Sequence, residues 1–361
     1  MKRVGIITLF GLGNYGNRLQ NYAVQKILMD MGFEAKTYSA DAYYPKYGYK
    51  YIIKKLIHEI TGYRFTSSRN AWAESNRKLL FEDFTKNYLP TEKIDDLKTL
   101  RSKADYFVLG SDQVWNPLWY HKNDKEIYLL TFANPEQKVC LSPSFGVSEL
   151  PEEWKPWFKE KLNSFPILNV REHAGTDIIK ELTGRDAKVT IDPTLMLDAD
   201  DWLKIAKKPR QFNSKEPFIL TYFLGDRTEK VEEDIKSILK ARNMNVLHLL
   251  DFSQPNMYEC GPQEFIYLFS KADIILTDSF HACVFSFLFN KPFVVYDRVE
   301  FGMCEMNSRL ESLLSLLGIE RKYRDKNLSV DWFDNNYEYG KSQLKIERDK
   351  LKSYLTERFA Q

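Results

Sequence analysis

Short apolar runs alternate with longer stretches of helical period along nearly the whole chain. Runs at 4–10, 34–38, 106–109, 138–142, 167–170 and 188–191 have strand length, and segments at about 16–31, 67–87, 152–163 and 175–182 repeat apolar residues every three to four positions. That alternation predicts βα units around mostly parallel sheet. The six strands read as one doubly wound unit. A second series reads as another, with strands at 218–224, 245–250, 273–277 and 293–296 and helices at 227–243, 262–271, 279–290 and 308–317. Between the two, 198–217 is charged and carries Pro209 and Pro217, the composition of a connection. The fold class expected is α/β: two doubly wound, Rossmann-like domains facing a cleft. The boundaries are 1–198 for the first domain, 199–216 for a linker, 217–340 for the second domain and 341–361 for a docking helix. In that helix Leu344, Leu351, Tyr354, Leu355 and Phe359 share one face and require something to pack on.

Composition narrows the function classes. With 52 basic and 50 acidic residues among 361, and 43% apolar, the chain is globular and too evenly charged for a nucleic-acid footprint over its whole surface. An anionic ligand must therefore be held by a few placed side chains. Cys140, Cys260, Cys283 and Cys304 lie far apart, so neither a zinc-type pair nor a redox C-x-x-C motif exists, and no metal site is expected. Met1-Lys2-Arg3 before an apolar run imitates a secretory leader, but no small-residue cleavage site follows, and a buried first strand explains the run better. No apolar run approaches the roughly 20 residues of a membrane span. The expected location is cytoplasmic, peripheral at the inner face of a membrane if the 43–65 segment makes contact there.

Ligands of open α/β sheets sit outside the carboxyl ends of the strands, so candidate chemistry is sought on those loops. Gly11-Leu12-Gly13-Asn14-Tyr15-Gly16 follows the first strand and satisfies G-x-G-x-x-G, with Asp41 further on, which keeps a nicotinamide or flavin site as a rival reading. Asn14-Tyr15 is bulky for a pyrophosphate turn, and Asn17-Arg18-Leu19-Gln20 is polar for a buried helix start, so a ligand-facing turn fits better. Asp112 follows the strand at 106–109, where a carboxylate can orient or deprotonate a sugar hydroxyl, or simply cap a turn. Trp115 is equally suited to stacking on a sugar ring or to the core. His281 lies in the first turn of a helix apolar on nearly all sides, beside free N–H groups and the positive dipole end; an anion site with a proton donor is the favoured reading. Arg171 and Arg309 sit on loops of opposite domains facing the same cleft, and Gly225-Asp226-Arg227 forms another strand-end turn. The segment 43–65 carries five Lys or Arg against one Glu, with seven aromatics, and reads either as a basic amphipathic membrane contact or as plain packing.

Taken together, NYGNRLQ, GSDQVWNP, SFGVSELP, VREHAG, IDPTLML and ADIILTDSFHACVFSFLFNKPFVVYD resemble the polysaccharide pyruvyl transferase family, in order from about Val4 to Leu317. The resemblance implies a GT-B-like fold and transfer of pyruvate from phosphoenolpyruvate to two hydroxyls of a sugar, giving a cyclic ketal, with no cofactor beyond that co-substrate and no required metal. It implies donor binding by the residues at His281 and Arg171. The chain departs from the family at Ser279, where many members carry arginine in R-x-H, so Arg309 or Arg298 must replace that charge. The resulting expectation makes His281 the acid and Asp112 the group that orients or deprotonates the acceptor. Donor contacts come from Arg171, Ser279, Arg309, Arg298 and Gly225, and acceptor contacts from Asn14, Tyr15, Asn17, Gln113 and Trp115. The acceptor is a polysaccharide precursor, lipid-linked in the reading that places 43–65 on a membrane, and no nucleic-acid partner is expected. Alternatives on the same architecture are a nucleotide-sugar glycosyltransferase and a non-catalytic glycan- or nucleotide-binding module.

Overall fold

The computed structural model describes residues 1–11, 13–39, 69–120, 124–210, 212, 216–299, 308–326 and 331–360. The 43–65 segment, Asp41 and Cys304 lie outside the described residues. The first half contains β1 (Arg3–Ile7), α1 (Tyr15–Asp30), β2 (Glu34–Ser39), α2 (Arg69–Tyr88), β3 (Thr91–Lys93), β4 (Tyr106–Leu109) and β5 (Lys138–Cys140). Its five strands are parallel in the order β3-β2-β1-β4-β5. Chain order therefore reverses between β1 and β4, which makes that point the topological switch.

The strands expected at 167–170 and 188–191 do not extend this sheet. After α3 (Lys155–Leu162), β6 (Asn169–Val170) and, beyond α4 (His173–Thr183), β7 (Lys188–Val189) form a separate parallel pair. The cause is Asn169. Its side chain accepts from the Ser142 N–H at 2.8 Å and donates to the Cys140 carbonyl at 3.0 Å, replacing ladder bonds that a sixth strand would have made to β5.

The second half contains β8 (Phe218–Tyr222), α5 (Glu229–Ala241), β9 (Asn245–Leu249), α6 (Pro262–Lys271), β10 (Ile274–Thr277), α7 (Phe280–Leu288), β11 (Phe293–Val295) and α8 (Ser308–Leu316). Its parallel sheet runs β11-β10-β8-β9, with the switch between β8 and β10. The fold is α/β with two doubly wound halves.

Both sheets share one apolar cluster that extends from Val4 and Ile6 to Phe285 and Val295. Trp202 belongs to it, fully buried in a short helix (Ala199–Leu203) and edge-on to Phe285 at 4.9 Å, so the stretch expected as a linker is tied into the core. The last helix, α9 (Glu338–Ala360), starts against Phe287 of the second half and returns to the first. There Arg348 donates to the Leu195 and Leu197 carbonyls, Tyr354 donates to the Cys140 carbonyl at 2.9 Å, and Phe359 packs on Tyr106. No described helix is long and apolar enough to cross a membrane.

Candidate active site

The polar start of α1 is explained by what it ties together. Asn14 caps the helix, its Oδ1 accepting from the Asn17 N–H at 3.2 Å. Gln20 donates to Thr8 Oγ1 at 2.6 Å and accepts from the Ser111 N–H at 3.0 Å, while Asn17 donates to the Asp112 carboxylate. The loops after β1 and β4 are thus joined at the first switch point by buried amides. Asp112 projects there with φ of +67°, a conformation that Asp tolerates better than most residues.

Arg171, at the end of β6, is the hub of the first half. Its Nη1 donates to Asp192 Oδ2 at 2.8 Å, and its Nη2 donates to Asp112 Oδ1 at 3.3 Å. The guanidinium also stacks 4.4 Å from the ring centre of Phe280, the first residue of α7, so it crosses from one half to the other. Asp192 takes two further donors from its own turn, the Thr194 N–H at 2.9 Å and Thr194 Oγ1 at 2.6 Å, and one from Ser111 Oγ at 2.8 Å.

The second half brings His281 to this cluster. Ser279 is the N-cap of α7, its Oγ accepting from the Ala282 N–H at 3.5 Å, which leaves His281 in the first turn with Nε2 3.7 Å from Asp192 Oδ2. A Cβ on Gly16 would lie 2.1 Å from His281 Nδ1, so glycine is required for the imidazole to approach α1. The third glycine of the G-x-G-x-x-G pattern thus serves the packing of a histidine. Asp278 accepts from the Leu224 and Gly225 N–H groups, each at 2.8 Å, and faces Arg298 Nε at 3.4 Å. Gly225 is held close because a Cβ there would meet the Val299 carbonyl oxygen at 2.6 Å. Arg309 reaches across from α8: with the Gln113 amide oxygen turned toward it, that oxygen accepts from Nη1 at 3.1 Å and Nη2 at 3.3 Å.

The electrostatics follow. Burial opposes the charge on Asp192, but His281 and Arg171 outweigh it and hold the carboxyl far below the usual carboxylate range. Burial likewise opposes ionisation of Asp112, and Arg171, His281 and Arg309 together keep it below its ordinary value. Burial first, and then Arg171 and Arg298, pull Arg309 down to about 9, which still leaves the guanidinium charged at neutral pH. Both carboxyls contribute stability that is complete above the ordinary carboxylate pKa of about 4 and is lost as pH falls through their lower folded values. Thermal melts between about pH 5 and pH 3 should show the wild type losing stability more steeply than Asp112→Asn. Equal slopes would show that the Asp112 charge contributes nothing.

The site therefore unites His281, Asp112, Arg171, Ser279, Arg309, Arg298, Gly225, Asn14, Asn17 and Gln113 around the two switch points. Tyr15 and Trp115 are corrections. Tyr15 is fully buried, stacked on Phe265 at 4.6 Å and donating to the Cys260 carbonyl at 2.7 Å, because α1 packs its first turn against the second half. Trp115 is also fully buried, its Nε1 donating to the Tyr128 carbonyl at 3.0 Å and its ring packed on Phe145 and Phe165. Neither ring can face a sugar. The residue sequence reasoning missed is Asp192: its motif IDPTLML was noted, but a carboxylate directly after a strand carries the same signal that singled out Asp112. Among the described residues no three His, Cys, Asp or Glu side chains are grouped as metal ligands.

Several solved structures are similar to this chain over most of its length. UDP-GlcNAc 2-epimerase from Neisseria meningitidis is 13% identical with a TM-score of 0.43, over 98% of this chain and 100% of that one. The Methanocaldococcus jannaschii UDP-GlcNAc 2-epimerase is 16% identical with a TM-score of 0.42, over 98% and 99%. No curated protein matches the sequence significantly. A family model, polysaccharide pyruvyl transferase, matches residues 14–298, from the N-cap of α1 to the turn bearing Arg298. The chain belongs to the polysaccharide pyruvyl transferase family.

Proposed function

We propose that the protein transfers pyruvate from phosphoenolpyruvate to two hydroxyls of a sugar in a polysaccharide or lipid-linked precursor, closing a cyclic ketal. The observation that carries this reading is the meeting of His281, in the first turn of a buried helix, with the Arg171–Asp112–Asp192 cluster of the other half. Phosphoenolpyruvate carries a carboxylate and a phosphate. Arg309, Arg298 and the N–H groups opening α7 supply the opposite charge, and Ser279 caps the helix.

In this reading His281 protonates the methylene carbon, which makes C2 electrophilic. A first sugar hydroxyl, oriented by Asp112, attacks C2. The C–O bond to phosphate then breaks, and the second hydroxyl adds at the same carbon. Two hydroxyl protons are released for one taken up at the methyl group; one returns to the imidazole and the other leaves with phosphate. Asp112 is held ionised by its charged neighbours, Arg171 first, so it acts chiefly by accepting a hydrogen bond from the hydroxyl rather than as a strong base.

Binding of phosphoenolpyruvate by calorimetry, with no acceptor present, tests the donor site. Arg309→Met should weaken it on the order of 10- to 100-fold, the effect of losing one charge-assisted contact. Unchanged affinity would remove Arg309 from the donor site.

A further inference from the structure

We infer that Asp192 is a positioning residue that fixes the proton of neutral His281 on Nε2 and aims that nitrogen into the site. Every other group facing the Asp192 carboxylate is a donor: Arg171 Nη1 and Ser111 Oγ at Oδ2, the Thr194 N–H and Oγ1 at Oδ1. An ionised carboxylate only accepts, so an imidazole nitrogen turned toward it must present N–H and not a lone pair. The nitrogen that faces it is Nε2, at 3.7 Å from Oδ2.

The opposite edge of the ring is closed. Nδ1 lies against Gly16 so tightly that a Cβ there would approach it to 2.1 Å, leaving no room on that side for a reacting atom. Nε2, by contrast, is buried without a hydrogen-bond partner, its separation from Asp192 being too long for one. It is the nitrogen turned toward the Arg171–Asp112–Asp192 cluster of the first half. Because Asp192 belongs to the first half and His281 to the second, the same carboxylate sets the register of the two halves' contributions, with Arg171 on one side and His281 on the other.

The role of His281 as acid rests on the reaction proposed above; the placement of its proton does not, and the experiment separates the two. With ¹⁵N-histidine-labelled protein above the imidazole titration, two-bond proton–nitrogen correlation reads the tautomer, and His281 is assigned by the signal lost in His281→Gln. The wild type should show Nε2–H. In Asp192→Asn the amide keeps its oxygen on the Thr194 donors and offers N–H toward His281, so the proton should shift to Nδ1. Thr194→Val keeps the carboxylate while loosening its turn; it should lower the melting temperature and leave the tautomer as in the wild type. Nδ1–H in the wild type overturns the inference even if Asp192→Asn does not fold, and so does an unchanged tautomer in a folded Asp192→Asn. Where transfer is measurable, kcat of Asp192→Asn should fall on the order of 10³-fold, with KM for phosphoenolpyruvate moving far less. A wild type that shows Nε2–H but does not use phosphoenolpyruvate sinks the proposed function and leaves this inference standing.

Discussion

Arg171→Met should destabilise the protein by about 3–5 kcal/mol, the usual consequence of removing one member of a buried ionic cluster. The side chain is 1% exposed, and its partners Asp112 and Asp192 are 7% and 0% exposed, so neither carboxylate can turn to water for compensation. Met fills most of the volume, which isolates the loss of charge from the creation of a cavity. His281 would then face Asp192 without Arg171, and Arg309 would remain beside Asp112. Denaturant unfolding should show the midpoint falling without a change in slope. A loss below about 1 kcal/mol, typical of an exposed pair, would mean the cluster is not the anchor described.

Gly16→Ala should do the reverse, sparing stability while damaging activity. Gly16 lies in the first turn of α1, where alanine is the better helix former by about 1 kcal/mol. The added methyl group would, however, sit 2.1 Å from His281 Nδ1, 2.6 Å from Cε1 and 2.8 Å from Cγ, so the imidazole has to move. A displacement near 1 Å costs about 100-fold in rate where a group must meet a reacting atom. The expected result is an unaltered melting temperature with kcat reduced by about that factor. Full turnover would show that His281 tolerates displacement and is not the proton donor.

What could be read in the residues depended on whether the signal was local. Strands such as 106–109 and helices such as 16–31 announce themselves by period, and the structure has them at Tyr106–Leu109 and Tyr15–Asp30. β3 escaped because Thr91-Glu92-Lys93 has no apolar signal; it is a strand only because β2 offers an edge. The break in the first sheet escaped because it depends on one amide, Asn169, substituting for ladder bonds. In the site, strand-end carboxylates and a histidine in a helix's first turn are legible, since strand direction alone brings them to one side. The orientation of an aromatic ring beside such a loop is not. Trp115 has the same neighbours in sequence whether it faces solvent or Phe145. In the sequence Gly16 reads as part of a ligand-facing turn, because its partner, His281, is remote in the chain and only the packing of the two halves brings them together.

The central claim is the reaction. Wild-type protein incubated with labelled phosphoenolpyruvate and a panel of nitrophenyl and lipid-linked sugars should release phosphate in step with the appearance of a pyruvate ketal on one of them, read by its methyl resonance and by mass. Phosphoenolpyruvate left intact across the panel, while a nucleotide sugar is consumed with release of its nucleotide, would contradict it.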